Sequence, residues 1–194
     1  MDLIFDTETT GFALFKSPAS DPKQPHLVQL AVILADGPKL IQEWNTIVAL
    51  PPDAVMNEGA EKVHGISVER SRSEGLPLLE VIKKFTAFLI RSDRVFCHNT
   101  KFDSTVIRAA YYRAGISDDY FNSTKQFCTM LSSKNPLKIP HPKGWNTYKW
   151  PTLQEAYKLL VDEDGFGSAH SADADTMACW KVLVELEKRN VKLI

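Results

Sequence analysis

Leu3, Ile4 and Phe5 form an unbroken apolar run that stops on Asp6, with a second acid, Glu8, two residues further on. A short continuous apolar run is the pattern of a strand covered on both faces, as in a sheet flanked by helices. Alternate strand residues share a side, so Asp6 and Glu8 point the same way if the chain stays extended. Two carboxylates are thereby delivered to the end of a buried strand.

The remaining pattern fits that beginning. Residues 17–25 are rich in proline and small polar residues and read as a surface loop. Residues 27–35 and 40–50 flank Asp36-Gly37 and predict an antiparallel hairpin. Helical spacing follows at 58–63, closed by Gly65, and at 76–90; Arg94-Val95-Phe96-Cys97 reads as another buried strand. A helix over 101–114 ended by Gly115, an extended segment near Phe127, a long loop over 132–150, and helices near 152–160 and 172–189 complete the chain. At 194 residues this is about one domain's worth, read as a single domain over 1–194: an α/β fold with a mixed central sheet of about five strands flanked by helices.

Composition removes several alternatives. Twenty-three basic and 24 acidic residues give a formal charge of -1, which excludes the basic field of a nonspecific duplex binder, so nucleic-acid contact must be local. The first residues lack a basic n-region, and no run approaches the roughly 18 apolar residues of a spanning helix, so the expected compartment is cytoplasmic, without membrane contact. Cys97, Cys128 and Cys179 are odd in number and never paired as C-x-x-C, and read as buried thiols.

Acids also fall at positions the hydrophobic pattern assigns to the core. Asp103 shares a helix face with Val106, Ile107, Ala110 and Ala114, and Asp175 shares one with Cys179, Val182 and Leu186. Unpartnered buried carboxylates are costly, so convergence of Asp6, Glu8, Asp103 and Asp175 calls for basic partners or bound cations. Oxygen-only ligands select hard ions, Mg²⁺ or Mn²⁺, and shared carboxylates can hold two about 4 Å apart for phosphodiester cleavage. Taken singly, Asp103 and Asp175 also fit first-turn acids, and Asp6 and Glu8 a turn.

Three motifs carry a family resemblance. Asp6-Thr7-Glu8-Thr9-Thr10-Gly11 resembles the first motif of the DnaQ-like, or DEDDh, 3′-to-5′ exonucleases. His98-Asn99-Thr100-Lys101-Phe102-Asp103 is similar to the second, and His170-Ser171-Ala172-Asp173-Ala174-Asp175 to the third. His26-Leu27-Val28-Gln29-Leu30-Ala31 resembles the family's second strand and Val63-His64-Gly65-Ile66 a recurrent helix end, so the likeness spans roughly 1–185. It implies an RNase H-like fold in which Asp6, Glu8, Asp103 and Asp175 hold two Mg²⁺ or Mn²⁺ ions and His170 is the general base. A histidine suits that task because it titrates near neutral pH. Ser171 as an N-cap would put His170 just outside the last helix, while Asp173 reads as a solvated first-turn acid.

The resemblance also implies substrate contacts by Thr9, Thr10, Gly11, Phe12 and Asn99. Gly11 would permit a tight turn beside a nucleotide, and Phe12 would stack on the terminal base. Phe12 equally fits a core aromatic, and Asn99 a helix cap. His98 and His64 read as structural; His26 and His141 carry no case. Between Phe121 and Gln154 there is no acid, but Lys125, Lys134, Lys138, Lys143 and Lys149 are interleaved with Trp145, Tyr148 and Trp150. That stretch suits either a single-strand path or a surface loop whose tryptophans dock on the core. The expected activity is exonucleolytic release of nucleoside 5′-monophosphates from single-stranded or frayed 3′ ends, with DNA placed ahead of RNA. A proofreading subunit partnered by a polymerase, a homodimer, and a catalytically idle binding module are the alternatives.

Overall fold

The computed structural model describes residues 1–167 and 169–194. In chain order its elements are β1 (Asp2–Thr9), β2 (Leu27–Asp36), β3 (Lys39–Ile47), α1 (Glu58–His64), α2 (Val68–Glu74), α3 (Leu78–Leu89), β4 (Arg94–Cys97), α4 (Thr100–Ala114), α5 (Asp119–Ser123), β5 (Lys125–Cys128), α6 (Thr129–Leu137), α7 (Leu153–Leu160) and α8 (Ala172–Lys188). The five strands form one sheet in the order β3-β2-β1-β4-β5. β1–β2 and β2–β3 are antiparallel, β1–β4 and β4–β5 parallel.

β1 is central, which explains its uninterrupted apolar run. Leu3 and Phe5 pack on the face covered by α3 and α4, among Phe85, Val106, Ile107 and Phe121. Ile4 packs on the opposite face with Cys179 and Leu183 of α8. Both sides of one strand therefore lose apolar surface to helices, at roughly 25 cal/mol per Å² removed from water. Arg94 fastens the assembly at the other end of β1, with Nε and Nη2 each 2.7 Å from the Asp2 carboxylate and Nη2 2.8 Å from Glu187 of α8. Gly65 and Gly115 end α1 and α4 in left-handed backbone, at φ 69° and 67°, where a side chain would be strained.

The structure adds two short helices the pattern did not predict, α2 and α5, and corrects the long loop. The expected loop over 132–150 begins only after α6, because Ser132 and Ser133 return their hydroxyls to the Cys128 and Thr129 carbonyls at 2.8 and 2.6 Å. Two serines that read as loop are thus satisfied inside a helix, and Pro136 sits in its last turn. All three cysteines are free and buried, as expected. No helix among the described residues is long and apolar enough to cross a membrane.

Candidate active site

The last residues of β1 serve two faces. Asp6 and Glu8 point toward the α8 side, where one carboxylate oxygen each from Asp6, Glu8 and Asp175 lie within 4.8 Å of one another. Thr7 points the other way and holds Asp103, which arrives from α4: the Thr7 hydroxyl donates to Asp103 Oδ1 at 2.8 Å and the Thr7 N–H to the same oxygen at 3.2 Å. Asp103 is buried and stands outside the three-acid group, its Oδ1 spent on Thr7 and its Oδ2 without a hydrogen bond among the described residues.

α8 is set by a residue that lay within the second-strand motif but was given no role there. Gln29, opposite Glu8 in the β1–β2 register, accepts from the Ala172 N–H at 3.3 Å and donates to Asn45 at 3.0 Å. This buried amide fixes the first turn of α8 and hence Asp175. Thr7 and Gln29 carry no charge and drew no explanation beside the acids; the available signal was Gln29 as the one polar residue inside the apolar run over 27–35.

The acids repel. Burial, then Asp103, Asp175 and Glu8, hold Asp6 well above the usual carboxylate range. Burial, with Asp175 and Asp103, pushes Glu8 up to about 8. Burial lifts Asp103 to about 7 against the lowering effect of Thr7, and Asp175 is raised by burial against the hydrogen bond from His170. Among the described residues no salt bridge reaches the group: the ion pairs lie elsewhere. An all-oxygen donor set under mutual repulsion fits hard divalent cations.

A pH dependence follows. Glu8 and Asp103 keep protons in the metal-free fold that the unfolded chain releases near the ordinary values of 4.5 and 3.8. The folded state thus binds more protons up to about pH 8, and its stability falls as pH rises through that window. The Tm of chelated protein is expected to be higher near pH 5 than near pH 8, with Mg²⁺ raising Tm most at the alkaline end. An invariant Tm across that interval, with and without Mg²⁺, contradicts the repulsive cluster.

His170 precedes α8 with φ 70°, a left-handed backbone that a non-glycine residue adopts at some cost. Its N–H donates to Asp175 Oδ2 at 3.1 Å, tying the backbone to the acid while the exposed ring makes no hydrogen bond among the described residues. Ser171 occupies the N-cap position but makes no cap bond; its hydroxyl goes instead to Asp173, which is solvated as expected.

The loop after β1 sorts the substrate candidates. Phe12 is 85% exposed, which overturns its reading as a core aromatic. The buried Thr9 hydroxyl donates to the Gly11 carbonyl at 2.6 Å, and the buried Thr10 hydroxyl accepts from the His26 N–H at 2.9 Å, so both side chains shape the loop. Gly11 is not in left-handed backbone and an added Cβ would meet only Asn57 at an ordinary 3.7 Å, so the turn itself does not require glycine. Asn99 occupies the N-cap position of α4 with φ 85° and makes no side-chain cap bond, so it does not cap the helix. His98 is structural: its ring nitrogens meet Thr129 Oγ1 and the Pro151 carbonyl, each at 3.0 Å, and burial holds it down at about 4. His64 accepts from the Ile66 N–H through Nδ1 and so donates from Nε2 to the Thr9 carbonyl, bracing the Thr9 backbone.

In the lysine-rich stretch Trp145 and Trp150 stay 59% and 60% exposed, so they do not dock on the core. Lys143 lies 5.3 Å from the Trp145 ring and Lys134 5.8 Å from that of Trp150. Lys149, counted among the free cations, is paired with Glu155 at 2.6 Å, an acid just beyond the acid-free segment.

A mixed sheet in this order, with acids gathered where the central strand ends, is the RNase H-like arrangement. The chain belongs to the Exonuclease (RNase_T) family, whose model matches residues 3–183, and the resemblance read from its three motifs is borne out. Among solved structures it is similar to E. coli Exonuclease I in complex with a dT13 oligonucleotide, with TM-score 0.78 and 19% identity over 97% of this chain and 41% of that one. The dA16 complex of the same enzyme gives 0.76 and 20% over 97% and 41%. The zinc-bound form of the E. coli single-stranded DNA complex gives 0.76 and 20% over 97% and 40%. The chain thus spans about two-fifths of those structures' length, and at this identity the likeness speaks to fold. No curated protein sequence matches the chain.

Proposed function

We propose that residues 1–194 form one exonuclease domain of the DEDDh type that hydrolyses the terminal phosphodiester of single-stranded or frayed DNA from the 3′ end, releasing nucleoside 5′-monophosphates. The observation that carries this reading is the convergence of Asp6, Glu8 and Asp175 within 4.8 Å, with Asp103 raised by burial beside them. Asp6, Glu8, Asp103 and Asp175 would hold two Mg²⁺ or Mn²⁺ ions. Such ions, when bound, neutralise the carboxylates, acidify water and offset charge on the leaving oxygen.

The chain's own groups do the rest. His170 takes the proton of the attacking water at an imidazole nitrogen, its backbone anchored to Asp175 and its ring free to reach solvent. Phe12 stacks on the terminal base, and Asn99 reaches the same nucleotide from the start of α4. Thr9, Thr10 and Gly11 hold the loop that presents Phe12. Thr7 positions Asp103: Thr7→Val is expected to lower kcat by roughly 10- to 100-fold and raise the Mg²⁺ requirement, the usual range for removing a residue that orients a metal ligand. Unchanged Mg²⁺ dependence in that variant contradicts the positioning role.

Single-stranded DNA is favoured because the solved relatives carry dT13 and dA16 oligonucleotides. Lys138 and Lys143 track its phosphates; their joint replacement by Ala is expected to weaken single-strand binding and reduce the slope of affinity against salt by about 1 to 2. An unchanged slope removes them from the path. The whole reading is tested with 5′-labelled DNA and matched RNA in Mg²⁺, Mn²⁺ or EDTA. A metal-dependent ladder shortening from the 3′ end, faster on DNA, is expected; no cleavage of either strand by folded protein overturns it.

A further inference from the structure

A cleft of about 540 Å³ opens where β4 and β5 end, lined by Phe15, Asn99, Lys101, Phe127, Met130 and Trp150 among others. That volume falls within the roughly 300–1,000 Å³ of ligand sites. Phe15 and Trp150 stand on its walls 49% and 60% exposed, an arrangement that wastes apolar surface unless something flat covers it. Each ring carries a cation: Lys101 Nζ lies 4.8 Å from the Phe15 ring and Lys134 Nζ 5.8 Å from the Trp150 ring. No Asp or Glu side chain lines the cleft among the described residues. Ile194 borders it with its main-chain oxygen held at 2.6 Å by the Cys128 N–H.

The position is informative. β1, β4 and β5 run parallel, so Thr9, Cys97 and Cys128 close their strands toward the same end of the sheet, with Cys97 and Cys128 following the register to the level of Phe5. Two strand spacings of about 4.8 Å separate β5 from β1 across the sheet, and Asp6 lies one residue past the level of Cys97 and Cys128. Asn99 lines the cleft and lies four residues before Asp103, bridging the two places.

We propose that this cleft is a second base-binding subsite, which takes an unpaired nucleobase on the 5′ side of the scissile phosphate between Phe15 and Trp150, with Lys101 and Lys134 on the flanking phosphates. This rests on the exonuclease reading and deepens it: the strand leaves the carboxylates toward β5 rather than toward β3. Aromatic faces stack any base without reading its sequence, whereas a paired base is already stacked in its duplex. The subsite therefore selects single-stranded substrate without selecting sequence.

The test compares the unaltered protein with Phe15→Ala, Trp150→Ala and the double variant. Binding of a fluorescent thymidine octanucleotide is measured in EDTA, and hydrolysis of that octanucleotide is measured against the methyl ester of thymidine 5′-monophosphate in Mg²⁺. The double variant is expected to bind the octanucleotide roughly 10- to 100-fold more weakly, the scale of losing base stacking. Its preference for octanucleotide over the methyl ester falls by a similar factor, because the ester has no base on the 5′ side of its phosphodiester to enter the cleft. Trp150→Phe, which keeps a stacking face, restores most of the loss, a result that misfolding would not give. Octanucleotide hydrolysis with unchanged affinity and preference in the double variant overturns the subsite and leaves the exonuclease reading standing. Neither binding nor hydrolysis by the unaltered protein overturns both.

Discussion

Asp175→Asn is expected to raise the Mg²⁺ concentration for half-maximal hydrolysis by at least about 100-fold, exceeding what loss of a group behind a metal ligand costs. The carboxylate lies within 4.8 Å of Asp6 and Glu8, and removing one charge from an oxygen-only set weakens its hold on a hard cation. The same substitution carries a second, opposite expectation. Asp175 raises both Asp6 and Glu8 by repulsion, so the metal-free variant should melt at a higher temperature than the unaltered protein near pH 8. Lost activity with increased metal-free stability is the signature of a charge cluster built for a ligand. A variant that loses both is merely unfolded, and an unchanged Mg²⁺ requirement contradicts the role of Asp175 as a ligand.

His170→Ala is expected to lower kcat by roughly 10²- to 10⁴-fold, the contribution of a positioned general base, while leaving Mg²⁺ dependence nearly intact. The separation follows from the geometry. His170 contacts Asp175 through its backbone N–H, which alanine retains, and the ring that is lost makes no hydrogen bond to the acids among the described residues. Equal loss of kcat and of metal binding would assign His170 a structural part instead.

Much of this was legible because the acids contradict their surroundings. Asp103 and Asp175 interrupt apolar helix faces, Asp6 ends the apolar run of the central strand, and a polar group at a core position must be explained. The hairpin, the strand Arg94–Cys97 and the glycine ends of α1 and α4 follow equally from local chemistry. What escaped carries no charge out of place. α2 has a single buried residue, Ser71, and so no apolar face to read. α6 hides behind Ser132, Ser133 and Pro136, whose local preference is for turns until the serine hydroxyls find carbonyls one turn back. Thr7 and Gln29 act through hydrogen bonds to groups 96 and 143 residues away in the chain, which no local window contains. The exposure of Phe12, and the pairing of Lys149 with Glu155, depend on where the chain folds back rather than on their neighbours.

The central claim is that three elements, β1, α4 and α8, bring four carboxylates together to hold two divalent ions. Titrating chelated protein with Mn²⁺ and following free ion by electron spin resonance tests it most directly. The account predicts saturation at two ions per chain, with binding weakened in Asp6→Asn and Asp175→Asn and tighter at pH 8 than at pH 6 as Glu8 gives up its proton. Folded, unaltered protein that binds no Mn²⁺ stoichiometrically, or binds it equally well without those carboxylates, would contradict it.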